Sequence, residues 1–166
     1  MYTRQAFPEQ WATTQNDLGN AYTDRVVGER AENLERAIEH YCRALEVYAR
    51  QTFPEQWAMV HNNLGNAYFC RIVGERAENL ERAIGHCRQA MEVYTRQAFP
   101  TDWAMTQNNL GLAYNTRIRG KRAVNLEQAI KHFIQALEVY TQQAFPEQWA
   151  MVQNNLASAY ADRLVG

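Results

Sequence analysis

Residues 54–87 read "PEQWAMVHNNLGNAYFCRIVGERAENLERAIGHC", and residues 8–41 repeat this stretch at most positions. The same motif begins again at Pro100 and Pro146, so the prolines lie at a constant spacing of 46 residues. Such a period is the signature of an array of like units. We predict one repeat domain over 1–166, with units at 8–53, 54–99 and 100–145, the end of a preceding helix at 1–7 and the first helix of a fourth unit at 146–166.

Each unit is predicted to hold two helices, termed A and B. In the first unit, Pro8 suits the first turn of helix A, where its missing N–H costs nothing, and Gly28 suits a left-handed cap at the helix end. Asn33 is expected to cap helix B, which then runs to about Gln51. Because the connections are short, consecutive helices should be antiparallel neighbours in an all-α fold.

The Leu-Gly-x-x-Tyr pattern of helix A and the Ala-x-x-x-aromatic-x-x-Ala pattern of helix B resemble the tetratricopeptide repeat (TPR). The residues that carry the resemblance are Leu18, Gly19, Tyr22, Ala37, Tyr41 and Ala44, and their counterparts in later units. The resemblance covers essentially the whole chain. It implies a right-handed α-solenoid of antiparallel helix pairs, of about three and a half repeats, that binds other proteins and has no catalytic role.

Two features depart from the usual TPR. The unit is longer than the family's, and the family's early tryptophan is replaced by Gln15, His61, Gln107 and Gln153. The long unit is similar to kinesin-light-chain-type repeats and to bacterial TPR arrays associated with CHAT domains. Both ends fall within a unit, which leads us to expect a fragment of a longer array with uncovered apolar surface.

A second face of helix A carries amides and methionines on the side opposite Leu18 and Tyr22. The resemblance places this face in the concave groove of the array. We therefore predict that it binds a peptide through Asn16, Asn20, Met59, Asn62, Asn63, Asn66, Met105, Asn108, Asn109, Met151, Asn154 and Asn155.

Two interpretations of these asparagines stay open. A row of amides can pair with the N–H and C=O groups of an extended peptide, whatever its sequence. Alternatively, one asparagine in each copy bridges neighbouring helices and satisfies buried polar groups. Within this choice, Asn63 and Asn66 are favoured as ligand contacts and Asn62 as the bridge.

Several other repeated residues have a structural explanation. The arginines at positions 25, 71, 117 and 163 are expected to pair with a repeated glutamate such as Glu35 or Glu46. One histidine per unit, at positions 40, 86 and 132, is expected at a surface or helix interface, since neighbouring units are too far apart for shared metal ligation. His61 is interpreted as incidental, and Phe69 as a packing substitution.

The composition excludes several classes of function. Lys and Arg number 17 against 18 Asp and Glu, and no stretch concentrates one charge, so neither nucleic acid nor an anionic membrane is an expected partner. The three cysteines show no disulfide or metal spacing. No catalytic constellation, phosphate loop or cofactor motif is present, and a cytoplasmic protein without cofactor or metal is predicted.

Two functions remain as hypotheses. The first is a protein-interaction scaffold whose groove, lined by the A helices, holds an extended peptide or a partner helix. The second is a structural spacer or self-assembly element that associates through its uncapped ends.

Overall fold

A computed structural model describes residues 3–165 of the chain, which form an all-α fold without strands. Helices α1, α3, α5 and α7 are the A helices and α2, α4 and α6 the B helices. Their bounds are α1 Pro8–Asp24, α2 Arg30–Ala44, α3 Pro54–Cys70, α4 Arg76–Ala90, α5 Pro100–Thr116, α6 Arg122–Leu137 and α7 Pro146–Val165.

The A helices begin at the prolines, as predicted. Phe7, Phe53 and Phe99 are the N-cap residues, and the following proline occupies the first helical turn. The predicted end of helix A is wrong, because α1 ends at Asp24 and Arg25 is extended. Gly28 does adopt a left-handed backbone, at φ +84°, but within the loop that follows the helix.

Both predicted ends of helix B are also wrong. Helix α2 begins at Arg30 with Glu29 as N-cap, so Asn33 lies inside the first turn and its amide donates to the Val27 carbonyl in the loop (3.0 Å). The helix ends at Ala44, and a series of turns then leads to Phe53. Those turns are closed by backbone bonds such as Tyr48 N–H to Ala44 C=O (3.0 Å).

The described residues fall into two compact units, one up to Val93 and one from Tyr94 onward. In the first unit, α1 packs on α2, α2 on α3, and α3 on α4; in the second, α5 packs on α6 and α6 on α7. The helices of each unit thus stack as in an α-solenoid.

Glycine sets the closeness of each A–B contact. A Cβ atom on Gly19 would lie 2.4 Å from the Tyr41 ring, and one on Gly111 would lie 2.4 Å from the Phe133 ring. The Leu-Gly element of the repeat therefore lets an aromatic or sulfur-bearing side chain of helix B lie directly on the backbone of helix A.

None of the helices over residues 3–165 combines the length and the apolar character needed to cross a bilayer.

Candidate binding surface on the A helices

Each A helix carries a stripe of exposed and half-buried side chains at helical spacing, here called the A-helix stripe. It includes most of the residues predicted to bind a peptide. Its members are Thr13, Asp17 and Asn20 on α1, Met59, Asn63 and Asn66 on α3, Met105, Asn109 and Leu112 on α5, and Met151, Asn155 and Ser158 on α7.

Four predicted ligand contacts lie outside this stripe. Asn16, Asn62 and Asn108 are buried, with at most 4% of their surface exposed. Asn154, at the same position of the fourth copy, is exposed. The three buried amides have almost no surface to offer a ligand, which is the behaviour expected of packing groups.

In the first unit, Asn63 bridges the two A helices. Its amide nitrogen donates to Asn16 Oδ1 at 3.1 Å and to Asn20 Oδ1 at 3.2 Å. Both acceptors belong to α1, and Asn63 belongs to α3. This one side chain therefore holds the two helices together at the position of Asn63. The bridging role that the sequence suggested for Asn62 therefore belongs, between α1 and α3, to Asn63.

The second unit repeats the bridge between α5 and α7. Asn155 donates from its amide nitrogen to Asn108 Oδ1 at 3.0 Å. The donor is again the second asparagine of the "NN" pair and the acceptor is the first asparagine of the previous copy. The two adjacent amides thus have different tasks, which explains why the motif keeps both.

Asn20 also serves the contact between helices A and B. The Tyr41 hydroxyl donates to Asn20 Oδ1 at 2.8 Å and lies 3.2 Å from Thr23 Oγ1. Burial raises the pKa of Tyr41, so its hydroxyl is a stable donor at neutral pH. Asn20 therefore takes part in the packing of helix B, although the sequence placed it on the side opposite Leu18 and Tyr22.

The histidine of helix B lies at an interface, as predicted. His40 is within hydrogen-bond distance of Gln15 (Nδ1 to Oε1, 2.8 Å) and stacks on Tyr22, with ring centroids 5.4 Å apart. In the third copy His132 and Gln107 make the same pair at 2.6 Å. The glutamine that stands where the TPR has a tryptophan therefore forms a polar contact, here called the polar tie, between helix A and helix B.

His61 is not incidental, because it replaces the glutamine of this tie. Its Nδ1 lies 2.9 Å from Nδ1 of His86, and the two rings stack with centroids 5.1 Å apart. Burial, reinforced by His86, lowers the pKa of His61 to about 4. Burial also lowers the pKa of His86, so the pair is neutral at physiological pH and shares one N–H between two nitrogens.

Two of the expected arginine–glutamate pairs are present. Arg71 of α3 makes a bidentate pair with Glu35 of α2, with both N–O distances 2.7 Å. Arg163 of α7 pairs with Glu127 of α6 at 3.1 Å. Each pair joins a helix A to the helix B of the preceding copy. Because the arginine and the glutamate recur at fixed positions in the repeat, the pairs form at the same level along the two helices.

A set of loop contacts had no counterpart in the sequence analysis. Asn79 donates to the Val73 carbonyl at 2.9 Å and accepts from Arg71 at 3.2 Å, so it ties the loop before α4 to the end of α3. Arg76, the first residue of α4, donates to the Phe69 carbonyl and lies over the Phe69 ring, 5.2 Å from its centroid. The signal present in the sequence was an arginine followed three residues later by an asparagine in each copy, at positions 30 and 33, 76 and 79, and 122 and 125.

One buried polar atom in the second unit lacks a partner. Asn115 Oδ1 is buried and accepts no hydrogen bond from the described residues. In the first copy the equivalent residue, Thr23, meets the Tyr41 hydroxyl, whereas the third copy has Phe133, which carries no hydroxyl. A cavity of about 540 Å³ beside Asn115 is lined in part by Arg122 and Asp162, which form an ion pair at 2.7 Å.

The described residues offer no cluster of three or more histidine, cysteine or acidic side chains that could hold a metal ion. Cys42 and Cys70 are exposed, and Cys87 is buried against Gly65. Burial raises the pKa of the Cys87 thiol to about 12, so this sulfur packs as an apolar atom.

Comparison of the chain with family models, with curated proteins and with solved structures gives no match. An exposed row of amides and thioethers on a helical framework can bind a backbone and adapt to apolar side chains.

Proposed function

We propose that the protein is an interaction scaffold whose A-helix stripe binds an extended peptide or a partner helix. The observation that carries this proposal is the arrangement of Asn63. Its amide nitrogen is held by two acceptors on α1, which fixes the direction in which its carbonyl oxygen points.

The free end of this amide is suited to a ligand. Within residues 3–165 no group donates to Asn63 Oδ1, and the oxygen keeps contact with solvent. A fixed acceptor loses little conformational entropy when it receives a peptide N–H. Asn155 is held in the same manner in the second unit, through Asn108. Each unit therefore offers one oriented acceptor.

Neighbouring residues of the stripe supply the remaining contacts. Asn66, one turn after Asn63, is exposed and carries both a donor and an acceptor. Met59, one turn before it, is half-buried and can adapt to apolar side chains of different shapes. The resemblance to TPR arrays, in which the A helices line the groove, supports the same face. The balanced charge of the chain favours a ligand of low net charge.

The proposal is tested with peptides selected from a random twelve-residue phage library against the purified chain. We expect Asn66→Ala and Met59→Ala each to weaken the selected peptides by about fivefold to tenfold. Asn66 is exposed and Met59 is half-buried, so the helical fold should be retained in both variants. Gln51→Ala, an exposed residue in the turns after α2, is the matched control. Peptides that bind all three variants like the wild type would show that the stripe is not the site.

A second candidate function, self-association through α7, is favoured by the apolar surface of that helix. Leu164 is 85% exposed, and Tyr160, one turn before it on the same face, is also exposed. Large apolar side chains grouped on one helix are typical of an interface. A molecular mass that rises with concentration would support this candidate.

A further inference from the structure

The segment that joins α5 to α6 carries more positive charge than its two counterparts. Residues 117–122 read "RIRGKR", whereas residues 71–76 read "RIVGER" and residues 25–30 read "RVVGER". Arg119 stands in place of a valine and Lys121 in place of a glutamate, so residues 117–122, here called the basic segment, hold four cations and no acid. The expectation that no stretch concentrates one charge is therefore wrong for this segment.

Two of these cations have no acidic partner. Within residues 3–165 no carboxylate forms an ion pair with Arg119 or Lys121, and both residues are exposed. Helix α6 then begins without an acidic residue in its first turn, whereas α2 and α4 have Glu32 and Glu78 there. The positive end of the α6 dipole therefore adds to the charge of the segment.

A cavity of about 540 Å³ lies beside the basic segment. It is lined by Arg117, Ile118, Gly120 and Arg122 of the segment, by Thr116 of α5 and by Asp162 of α7. The walls thus come from α5, α6, α7 and the loop between the first two, all of which belong to the second unit. A compact ligand in this cavity would contact the segment directly.

Arg122 shows how the segment holds an oxygen anion. Its guanidinium donates through Nη1 to the Asn115 carbonyl at the end of α5, and through Nη2 to Asp162 Oδ2 at 2.7 Å. The Asp162 carboxylate repels an incoming anion, but its own charge is matched by Arg122. Arg119 and Lys121 are left without a counter-charge.

We propose that the basic segment is a binding site for a phosphate monoester. Such a group carries roughly two negative charges and three acceptor oxygens, which Arg119, Lys121 and the first N–H groups of α6 can share. A compact anion fits better than an extended polyanion, because the counterparts of Lys121 are Glu29 and Glu75. The site is separate from the A-helix stripe and does not depend on the function proposed for it.

The site is tested by NMR titration of the intact chain with phenyl phosphate. We expect the backbone amide resonances of residues 117–124 to shift saturably. Phenol, which lacks the phosphate, should leave them in place. Added salt should weaken the binding, because the attraction is between charges at the surface.

The repeat supplies a matched variant. Arg119→Val combined with Lys121→Glu gives the third copy the segment "RIVGER" of the second copy. The fold should be retained, since that sequence already forms the same loop, with Gly74 at φ +82° and Gly120 at φ +86°. The affinity for phenyl phosphate should fall by about tenfold or more.

A second double variant controls for net charge. Lys131→Glu combined with Gln142→Glu lowers the net charge by the same amount at exposed residues that do not line the cavity. Because surface charges outside the site are screened by salt, the affinity should stay within about twofold of the wild type.

A degenerate peptide pool with a central phosphoserine separates two sources of the phosphate. Enrichment of particular flanking residues, lost in the Arg119→Val, Lys121→Glu variant, would identify a phosphorylated partner protein. Binding no tighter than that of phosphoserine itself would identify a soluble phosphate ester.

Three outcomes would overturn the proposal. The first is the absence of saturable shifts in residues 117–124. The second is binding that Arg119→Val with Lys121→Glu leaves unchanged, which would place the anion elsewhere. The third is an equal loss of affinity in both double variants, which would show attraction by net charge alone. None of these bears on the A-helix stripe, which Asn66→Ala and Met59→Ala test separately.

Discussion

The His61–His86 pair differs from the polar ties of the other copies in its response to protons. A glutamine oxygen accepts from histidine at any pH, whereas two imidazoles 2.9 Å apart can share a proton only while one of them stays neutral. Trp57 contacts His61, with ring centroids 4.3 Å apart, and Tyr68 stacks on His86. On α4, the Arg82 charge also disfavours a second cation at His86, while the bond to Gln89 opposes that effect.

We predict that acid weakens the folded state through this pair. The pKa of His61 is about 4 in the folded chain and about 6.5 in the unfolded chain, so the unfolded chain binds more protons between these values. Stability is therefore complete above about pH 6.5 and falls as the pH drops, by about 2 kcal/mol between pH 7.5 and pH 5. Urea unfolding at a series of pH values measures the loss.

His61→Gln is the matched variant for this experiment, because it gives the second copy the Gln–His tie of the first and third copies. The other titrating groups stay the same. The variant should lose clearly less stability than the wild type between pH 7.5 and pH 5. Equal slopes for the two proteins would assign the acid sensitivity to other groups.

At the scale of the helix pair, the approach of helix B to helix A depends on glycine. Phe133 is completely buried, and three of its ring carbons lie within 3 Å of the position that a Cβ on Gly111 would occupy. Because the Phe133 side chain is completely buried, its ring has little free space into which it could move. Ala157, at the equivalent position of the fourth copy, is exposed.

We predict that Gly111→Ala destabilises the fold by about 2 kcal/mol, as overpacking of a core contact commonly does. Gly85→Ala is the control, since Gly85 lies within α4 and nothing approaches its Cβ position within 4 Å. That change should stabilise the protein by about 0.5–1 kcal/mol through helix propensity alone. Thermal or urea unfolding distinguishes the two, and a stabilising Gly111→Ala would rule out the close contact.

The starts of the A helices could be predicted because proline and the residue before it mark the boundary directly. The end of α2 could not be predicted, because no glycine or proline lies between Ala44 and Phe53 to mark where the helix stops. Asn33 was misassigned because its side chain reaches the Val27 carbonyl of the loop, a tertiary contact that local preference does not encode.

The candidate surface was predictable to a similar extent. Helical spacing places Met59, Asn63 and Asn66 on one face, and the structure leaves all three at least partly accessible. Spacing alone could not distinguish the buried Asn62 from the bridging Asn63, because the difference depends on how α3 lies against α1. The tie between His61 and His86 depends likewise on two helices meeting.

At the scale of the whole chain, charge and exposed apolar surface act together. The net charge is −1 at pH 7 and the isoelectric point is about 6.4, so repulsion between molecules is weak near neutrality. Weak repulsion allows the exposed apolar side chains of α7, above all Leu164, to contact the same helix of a second molecule. An association driven by this helix should therefore be strongest near pH 6.4 and weaken as the chain gains charge at higher pH.

We predict that the molecular mass measured by light scattering rises with concentration at pH 6.5 and that Leu164→Lys reduces this rise. The substitution removes apolar area and adds a charge at an exposed position, so the fold should tolerate it. Gln5→Lys adds the same charge at an exposed residue that is distant in sequence from α7, and it serves as the control. If both variants reduce the mass equally, net charge governs the association. If neither does, α7 is not its interface.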